Sequence, residues 1–272
     1  MTSRAERSMS FGTIADDYDR LRPPPPRTAV GWLLPAGCRV AVDLAAGTGL
    51  LSRALAGQVA RVIAVEPDER MAAVLRARSP GVEVVRGRGE AIPLPDASAD
   101  GVFVSSAWHW MDPRQATAQI ARVLRDGGRF GLIWTGRDRE TGWVRDLDEF
   151  VRDAVRPAGA GPDDAGPDHT RPRGGRDRQI TVPGELFGNI ESASFTFSRA
   201  MTLDDVVGML ATYSRVITAS PAERAEGLAR ARAGLGQRFG GADEIDVPMR
   251  SWCWRADRVA RHRRESEPAR LV

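Results

Sequence analysis

The run Val42-Asp43-Leu44-Ala45-Ala46-Gly47-Thr48-Gly49 joins two segments of different period. Before it, Arg39 to Leu44 is short and apolar enough to read as a buried strand. After it, Leu50, Leu51, Ala54 and Leu55 recur at helical spacing. A bend between a first strand and a first helix is where open α/β sheets bind ligands. Gly47 and Gly49 strip side chains from that bend, so the backbone can approach a ligand closely. The amides at the helix start offer donors. Asp43, closing the strand, offers an acceptor to a cationic amine or to water.

The alternation continues outward from this bend. Arg61 to Glu66 is a second β-branched run, and Asp68 reads as the N-cap of a helix through Met71, Val74 and Leu75. Val82 to Val85, Gly101 to Ser105 and Phe130 to Trp134 read as further strands. A helix through Ile120, Val123 and Leu124 is expected to end at Gly127-Gly128. Glu191 to Arg199 alternates like a strand, Thr202 with Asp205 and Ser220 with Glu223 read as helix starts, and Asp246 to Arg255 reads as the last strand. The order predicts an α/β, Rossmann-like doubly wound sheet. It has seven mainly parallel strands, helices on both faces and an antiparallel C-terminal strand. The expected divisions are an N-terminal helical cap (1–37), a core (38–155), a Pro-, Gly-, Asp- and Arg-rich flexible linker or loop (156–184), and a C-terminal part completing the sheet and covering the substrate site (185–272).

Composition excludes several chemistries. No lysine occurs, so all 39 basic residues are arginine. Schiff-base enzymes and Walker-type phosphate loops need a lysine amine and are excluded. Two cysteines without a CxxC pair read as reduced thiols. Three scattered histidines give no zinc spacing, so no metal is expected. Residues 255–272 hold six arginines and three acids, which accounts for the whole net charge of +3. The tail reads as a solvated helix end and the body is balanced, so a nucleic-acid partner is not expected. No run approaches the ~20 apolar residues of a membrane span. No apolar signal core occurs near the start either, which sets the expectation of a cytoplasmic protein, monomer or homodimer.

A dinucleotide fingerprint would need glycines at 45, 47 and 50, where the chain has Ala45, Gly47 and Leu50. This weighs against an NAD(P)-dependent oxidoreductase, the main rival reading. The bend instead resembles the D-x-G-x-G-x-G loop of class I S-adenosylmethionine (SAM)-dependent methyltransferases, with Ala45 for the first glycine. Gly87-Arg88-Gly89-Glu90-Ala91-Ile92-Pro93 resembles the adenine-pocket loop of the type 11 family. Trp108-His109-Trp110-Met111-Asp112 resembles its "HWF-D" subgroup, which includes trans-aconitate methyltransferase-like proteins. Phe11-Gly12, Ala15, Tyr18-Asp19 and Arg22-Pro23 resemble the family's N-terminal segment, which folds over the cofactor.

The resemblance implies SAM as cofactor and S-adenosylhomocysteine (SAH) as product. It implies a cofactor site from Tyr18, Asp43, Ala45, Gly47, Gly49, Glu66, Pro67, Met71, Gly89, Glu90 and Ser106. Glu66 would take the ribose hydroxyls, Met71 either flanks the adenine or belongs to the core, and Glu90 either contacts the nucleoside or orders its loop. A small-molecule acceptor with a hydroxyl, carboxylate, amine or acidic carbon would lie near Trp108, His109, Trp110 and Trp134. Some of these tryptophans, with Trp143, either wall the pocket or pack the sheet. His109 is the candidate base, with Tyr18 and Asp112 in reserve. An RNA methyltransferase remains the second rival because of the arginine tail, although no N/D-P-P-Y motif is present.

Overall fold

The computed structural model describes residues 9–154 and 180–260. Most of the expected linker, the end of the arginine tail, His169 and His262 lie outside the described residues.

Among the described residues, seven strands form one sheet: β1 (Val40–Leu44), β2 (Arg61–Glu66), β3 (Glu83–Arg86), β4 (Ala99–Ser105), β5 (Leu124–Arg137), β6 (Phe187–Met201) and β7 (Ile245–Arg258). Their order is β3-β2-β1-β4-β5-β7-β6. β1 lies parallel between β2 and β4, and β7 inserts antiparallel between β5 and β6. The chain therefore reverses direction across the sheet at β1 and β4, which opens a crevice beyond the carboxyl ends of those strands.

Apolar runs explain the buried centre, because Val42, Leu44, Val62, Ile63, Val65, Val102, Val104, Leu132 and Ile133 are almost wholly inaccessible. One face is covered by α5 (Pro113–Val123) through Ala116, Ile120 and Val123. The other is covered by α2 (Arg27–Leu33) and α3 (Leu50–Ala56) through Val30, Leu33, Leu51 and Leu55. The remaining helices in chain order are α1 (Ala15–Leu21), α4 (Glu69–Arg78), α6 (Gly142–Ala154), α7 (Leu203–Ala211), α8 (Ser214–Ile217) and α9 (Pro221–Phe239). A separate apolar cluster joins Leu147 of α6, Leu210 of α7, Leu235 of α9 and Leu21 of α1.

The expected caps form. Asp68 accepts from the Arg70 amide at 3.0 Å, Thr202 from the Asp205 amide at 3.1 Å, and Ser220 with Glu223 closes a reciprocal box. Some boundaries differ from expectation. The helix expected to run to Gly127-Gly128 stops at Val123, because Leu124 pairs with Ala99 and Arg129 with Gly101. Strand pairing wins over the glycine signal, and Gly127, at φ +73°, becomes an irregularity inside β5. β6 and β7 are longer than their alternating cores, since each pairs along nearly its whole length. The tail does not begin as a helix end: residues 255–258 belong to β7, where Arg258 donates to the Ala121 and Leu186 carbonyls.

One carboxylate sets the start of the central strand. Asp100 Oδ2 accepts from the Arg39 amide at 2.9 Å and the Val40 amide at 2.8 Å, while Arg125 pairs with Oδ1. Partial burial pushes this carboxyl up, but the two amides and the guanidinium outweigh it and hold it below its ordinary value. Asp100→Ala leaves two strand amides without their acceptor and is expected to lower stability by about 1–3 kcal/mol, read as a fall in Tm. Because the folded value is depressed, the Asp100 contribution is present above the ordinary carboxylate range. The difference between the two proteins therefore shrinks as pH falls below 3.8.

Candidate active site

A cavity of about 410 Å³ opens beyond the carboxyl ends of β1, β2 and β4. Its walls come from five segments far apart in sequence: the N-terminal segment, the 45–51 bend, the end of β2 with the start of α4, and the two turns at 88–90 and 105–111.

The bend takes its shape from backbone that ordinary residues avoid. Gly47 and Gly49 have φ of +58° and +87°, and a Cβ on Gly49 would lie 2.8 Å from Leu75 Cγ. Ala45, in place of the first glycine of the D-x-G-x-G-x-G pattern that the bend resembles, is held at φ +56°, and Ser106 after β4 at +54°. Such values cost energy for residues with a Cβ, and they gather here at the crevice.

Glu66, only 6% exposed, bridges the two loops. Its Oε2 accepts from the Gly47 amide at 2.7 Å and its Oε1 from the Asp68 amide at 2.8 Å. Burial raises its pKa, and the Asp68 and Gly47 amides partly offset that rise. Each carboxylate oxygen keeps a further lone pair for a ligand.

Asp43 lies beneath the lining and is fully buried. Ser52 Oγ donates to its Oδ2 at 2.6 Å. Asp43 Oδ1 and Thr48 Oγ1 are buried without hydrogen-bond partners among the described residues. Burial pushes Asp43 up to about 7, against the pull of the Ser52 bond. Above, Arg53 ties the bend to the N-terminal segment. It donates to the Thr48 carbonyl at 2.9 Å and pairs with Asp19 of α1 at 2.5 Å. Phe11 meets Tyr18 and Trp110 edge-on, at centroid distances of 5.8 and 6.3 Å, which roofs the cavity.

Of the residues expected to hold a cofactor, Tyr18, Ala45, Gly47, Glu66, Pro67, Met71, Gly89, Glu90 and Ser106 line this one cavity. Asp43 and Gly49 stand behind it. Glu90 also orders its loop, accepting from the Asp112 amide at 2.8 Å.

A smaller recess shares Phe11, Tyr18, Ser106 and Trp110 with the cavity and adds Arg22, His109, Trp134, Tyr213, Ser214 and Trp252. His109 and Trp134 are thus brought together, and Trp110 belongs to both spaces. Trp108 and Trp143 pack instead: Trp108 lies 5.2 Å from Phe130 in the core, and Trp143 lies 5.0 Å from Phe239. Asp112, a reserve base, caps α5 by accepting from the Gln115 amide at 2.9 Å. Sequence reasoning missed Arg22, Tyr213, Ser214 and Trp252 as site residues. Trp252 arrives by antiparallel register opposite Trp134, which no local pattern announces.

The buried Asp43 sets a pH dependence. Its folded value lies above its ordinary 3.8, so its contribution to stability is full below that value and declines as pH rises through about 7. In Asp43→Asn, the amide oxygen still accepts from Ser52 and nothing ionises. Its Tm relative to the native protein is expected to become more favourable between pH 5 and pH 8, by about 2–4 °C for each kcal/mol of ionisation cost removed.

A methyltransferase-domain family matches residues 42–132, the stretch from β1 to β5 that carries most of the cavity. An uncharacterized methyltransferase of Mycobacterium tuberculosis is 37% identical over 256 residues, covering 93% of this chain and 98% of the relative. A malonyl-[acyl-carrier protein] O-methyltransferase of Methylococcus capsulatus is 37% identical over 141 residues, 47% of this chain and 50% of that protein. A solved structure from Anaeromyxobacter dehalogenans, named as a type II methyltransferase, aligns with a TM-score of 0.68 at 25% identity, covering 89% of this chain and 99% of that one. With its sheet order, glycine bend and β2-terminal glutamate, the chain belongs to the SAM-dependent methyltransferases.

Proposed function

We propose that the larger cavity holds SAM and that the adjoining recess holds a small-molecule acceptor bearing a hydroxyl, carboxylate, amine or acidic carbon. The observation that carries this is the convergence of nine motif-predicted residues on one cavity of about 410 Å³, a size suited to a drug-sized ligand. The donor and acceptor set fits a nucleoside with an amino-acid arm. Glu66 has carboxylate lone pairs for a ribose diol, Met71 and Pro67 give an apolar wall for a base, and Thr48 Oγ1 is a buried polar atom with capacity to spare. Leu50 lies on the wall where a dinucleotide site would need its third glycine, which disfavours a nicotinamide cofactor.

When bound, SAM supplies an electrophilic sulfonium methyl group. The chain's task is then alignment and exclusion of water. Phe11, Tyr18 and Trp110 wall both spaces, so the acceptor atom and the methyl group meet under one aromatic roof. Fixing two reactants in this way is worth about 7–11 kcal/mol in favourable cases. His109, beside Trp110 at a ring distance of 4.5 Å, would take on an imidazole nitrogen the proton that a hydroxyl, amine or acidic-carbon acceptor gives up. Tyr18, on both walls, orients the acceptor.

Calorimetry is expected to show binding of both SAM and SAH, and a lack of binding to either would remove this reading. Gly47→Val is expected to abolish binding by filling the bend. Glu66→Ala should weaken it about tenfold, the loss of charge-assisted bonds. Once an acceptor is found, His109→Ala should lower kcat by about 100-fold or more with SAH affinity unchanged. An unaltered kcat would remove the base assignment.

A further inference from the structure

The recess ends at a guanidinium, that of Arg22, with no carboxylate partner among the described residues. Arg22, which follows α1, donates through Nε to Thr212 Oγ1 at 2.8 Å and through Nη2 to the Thr212 carbonyl at 3.0 Å. Its guanidinium lies 3.9 Å from the ring centroid of Tyr213 and 5.1 Å from that of Tyr18. Among the described residues no carboxylate pairs with it. Behind Tyr213, Arg137 is 4% exposed and lies 5.1 Å from the same ring. Arg137 Nη2 pairs with Asp148, which Arg139 also engages, while Arg137 Nε and Nη1 are buried without hydrogen-bond partners among the described residues. Two guanidiniums thus converge on one tyrosine beside the recess, and Asp148, the carboxylate on Arg137, is divided between Arg137 and Arg139. Holding cationic groups away from water without matching anions is costly unless a ligand supplies the charge.

We propose that Arg22 and Tyr213 form the anchoring site for a carboxylate on the acceptor. This proposal rests on the methyltransferase reading of the same site. The anion belongs to the ligand because Arg22 reaches the lumen of the recess, whereas its protein contacts are a hydroxyl, a carbonyl and two aromatic faces. A planar guanidinium edge matches a carboxylate. Trp110, Trp134 and Trp252 give the attached body an apolar seat. The field at this spot favours negative charge: burial pushes the Tyr213 phenol up, yet Arg137 and Arg22 outweigh it and hold the phenol below its ordinary value. A guanidinium also withdraws charge from the carboxylate it holds, so Arg22 anchors the acid and does not activate it. The methylated atom is therefore a different one, and the product keeps its free acid.

The test uses the full-length protein saturated with SAH, with the recess tryptophans as fluorescent reporters. Benzoate and trans-cinnamate are titrated against their primary amides and against phenyl phosphate. Each acid is expected to bind at least about tenfold tighter than its amide, the scale of a charge-assisted contact. Arg22→Gln is expected to erase that preference and Arg22→Lys to restore part of it, with SAH affinity within about twofold of native as the check on folding. Equal binding of acid and amide to the native protein, no binding of either, tighter binding of phenyl phosphate, or a preference surviving in Arg22→Gln overturns the proposal. The native comparison decides even if Arg22→Gln fails to fold. Failure of the native protein to bind SAH would instead remove the methyltransferase reading, and this proposal with it.

Discussion

A single buried carboxylate holds the site together. Glu66 closes β2, yet one of its oxygens takes the amide of Gly47 on the neighbouring bend and the other takes the amide of Asp68 at the head of α4. Two loops from adjacent parallel strands are thereby fixed to each other at the point where the sheet changes winding direction. The left-handed backbone at Ala45, Gly47 and Gly49 needs such an external hold, because nothing local favours it for Ala45. The same arrangement leaves lone pairs facing the cavity, so the interaction that builds the site also equips it.

The rest of the molecule is arranged around that hold. Arg53 passes the constraint from the bend to α1 through Asp19, which brings Phe11 and Tyr18 over the cavity. On the opposite side, the insertion of β7 between β5 and β6 carries Trp252 against Trp134, and the α7–α8 turn adds Tyr213 and Ser214. The larger cavity is thus made by the N-terminal segment and the turns after β1 to β4, and the recess by their meeting with β5 and the C-terminal segments. One space is lined by a carboxylate and small residues, the other by aromatic rings and a guanidinium, and a sulfonium cofactor and an acidic acceptor suit those linings.

The parts of this architecture that were legible in the sequence are those with local causes. Strand-then-helix periodicity located β1 through β5, cap residues located α4, α7 and α9, and glycines with a strand-terminal acid located the bend and Glu66. What escaped has long-range causes. The end of α5 was set by pairing of Leu124 with Ala99 and not by Gly127-Gly128. Residues 255–258 joined a strand although their charge suggested a solvated end. Trp108 and Trp143 could not be told from Trp110 and Trp134 by spacing, because core and pocket faces alternate on a scale that only packing resolves. Arg22 was visible within a motif, but its lack of a carboxylate partner among the described residues is a property of the fold.

The most direct measurement is a crystal structure of the protein grown with SAH. The ribose hydroxyls are expected within about 3 Å of the Glu66 carboxylate, with the Gly47 amide still bound to that carboxylate and the thioether sulfur facing the recess beside His109. Density for SAH on any other surface, or a ribose out of reach of Glu66, would contradict this reading of the site.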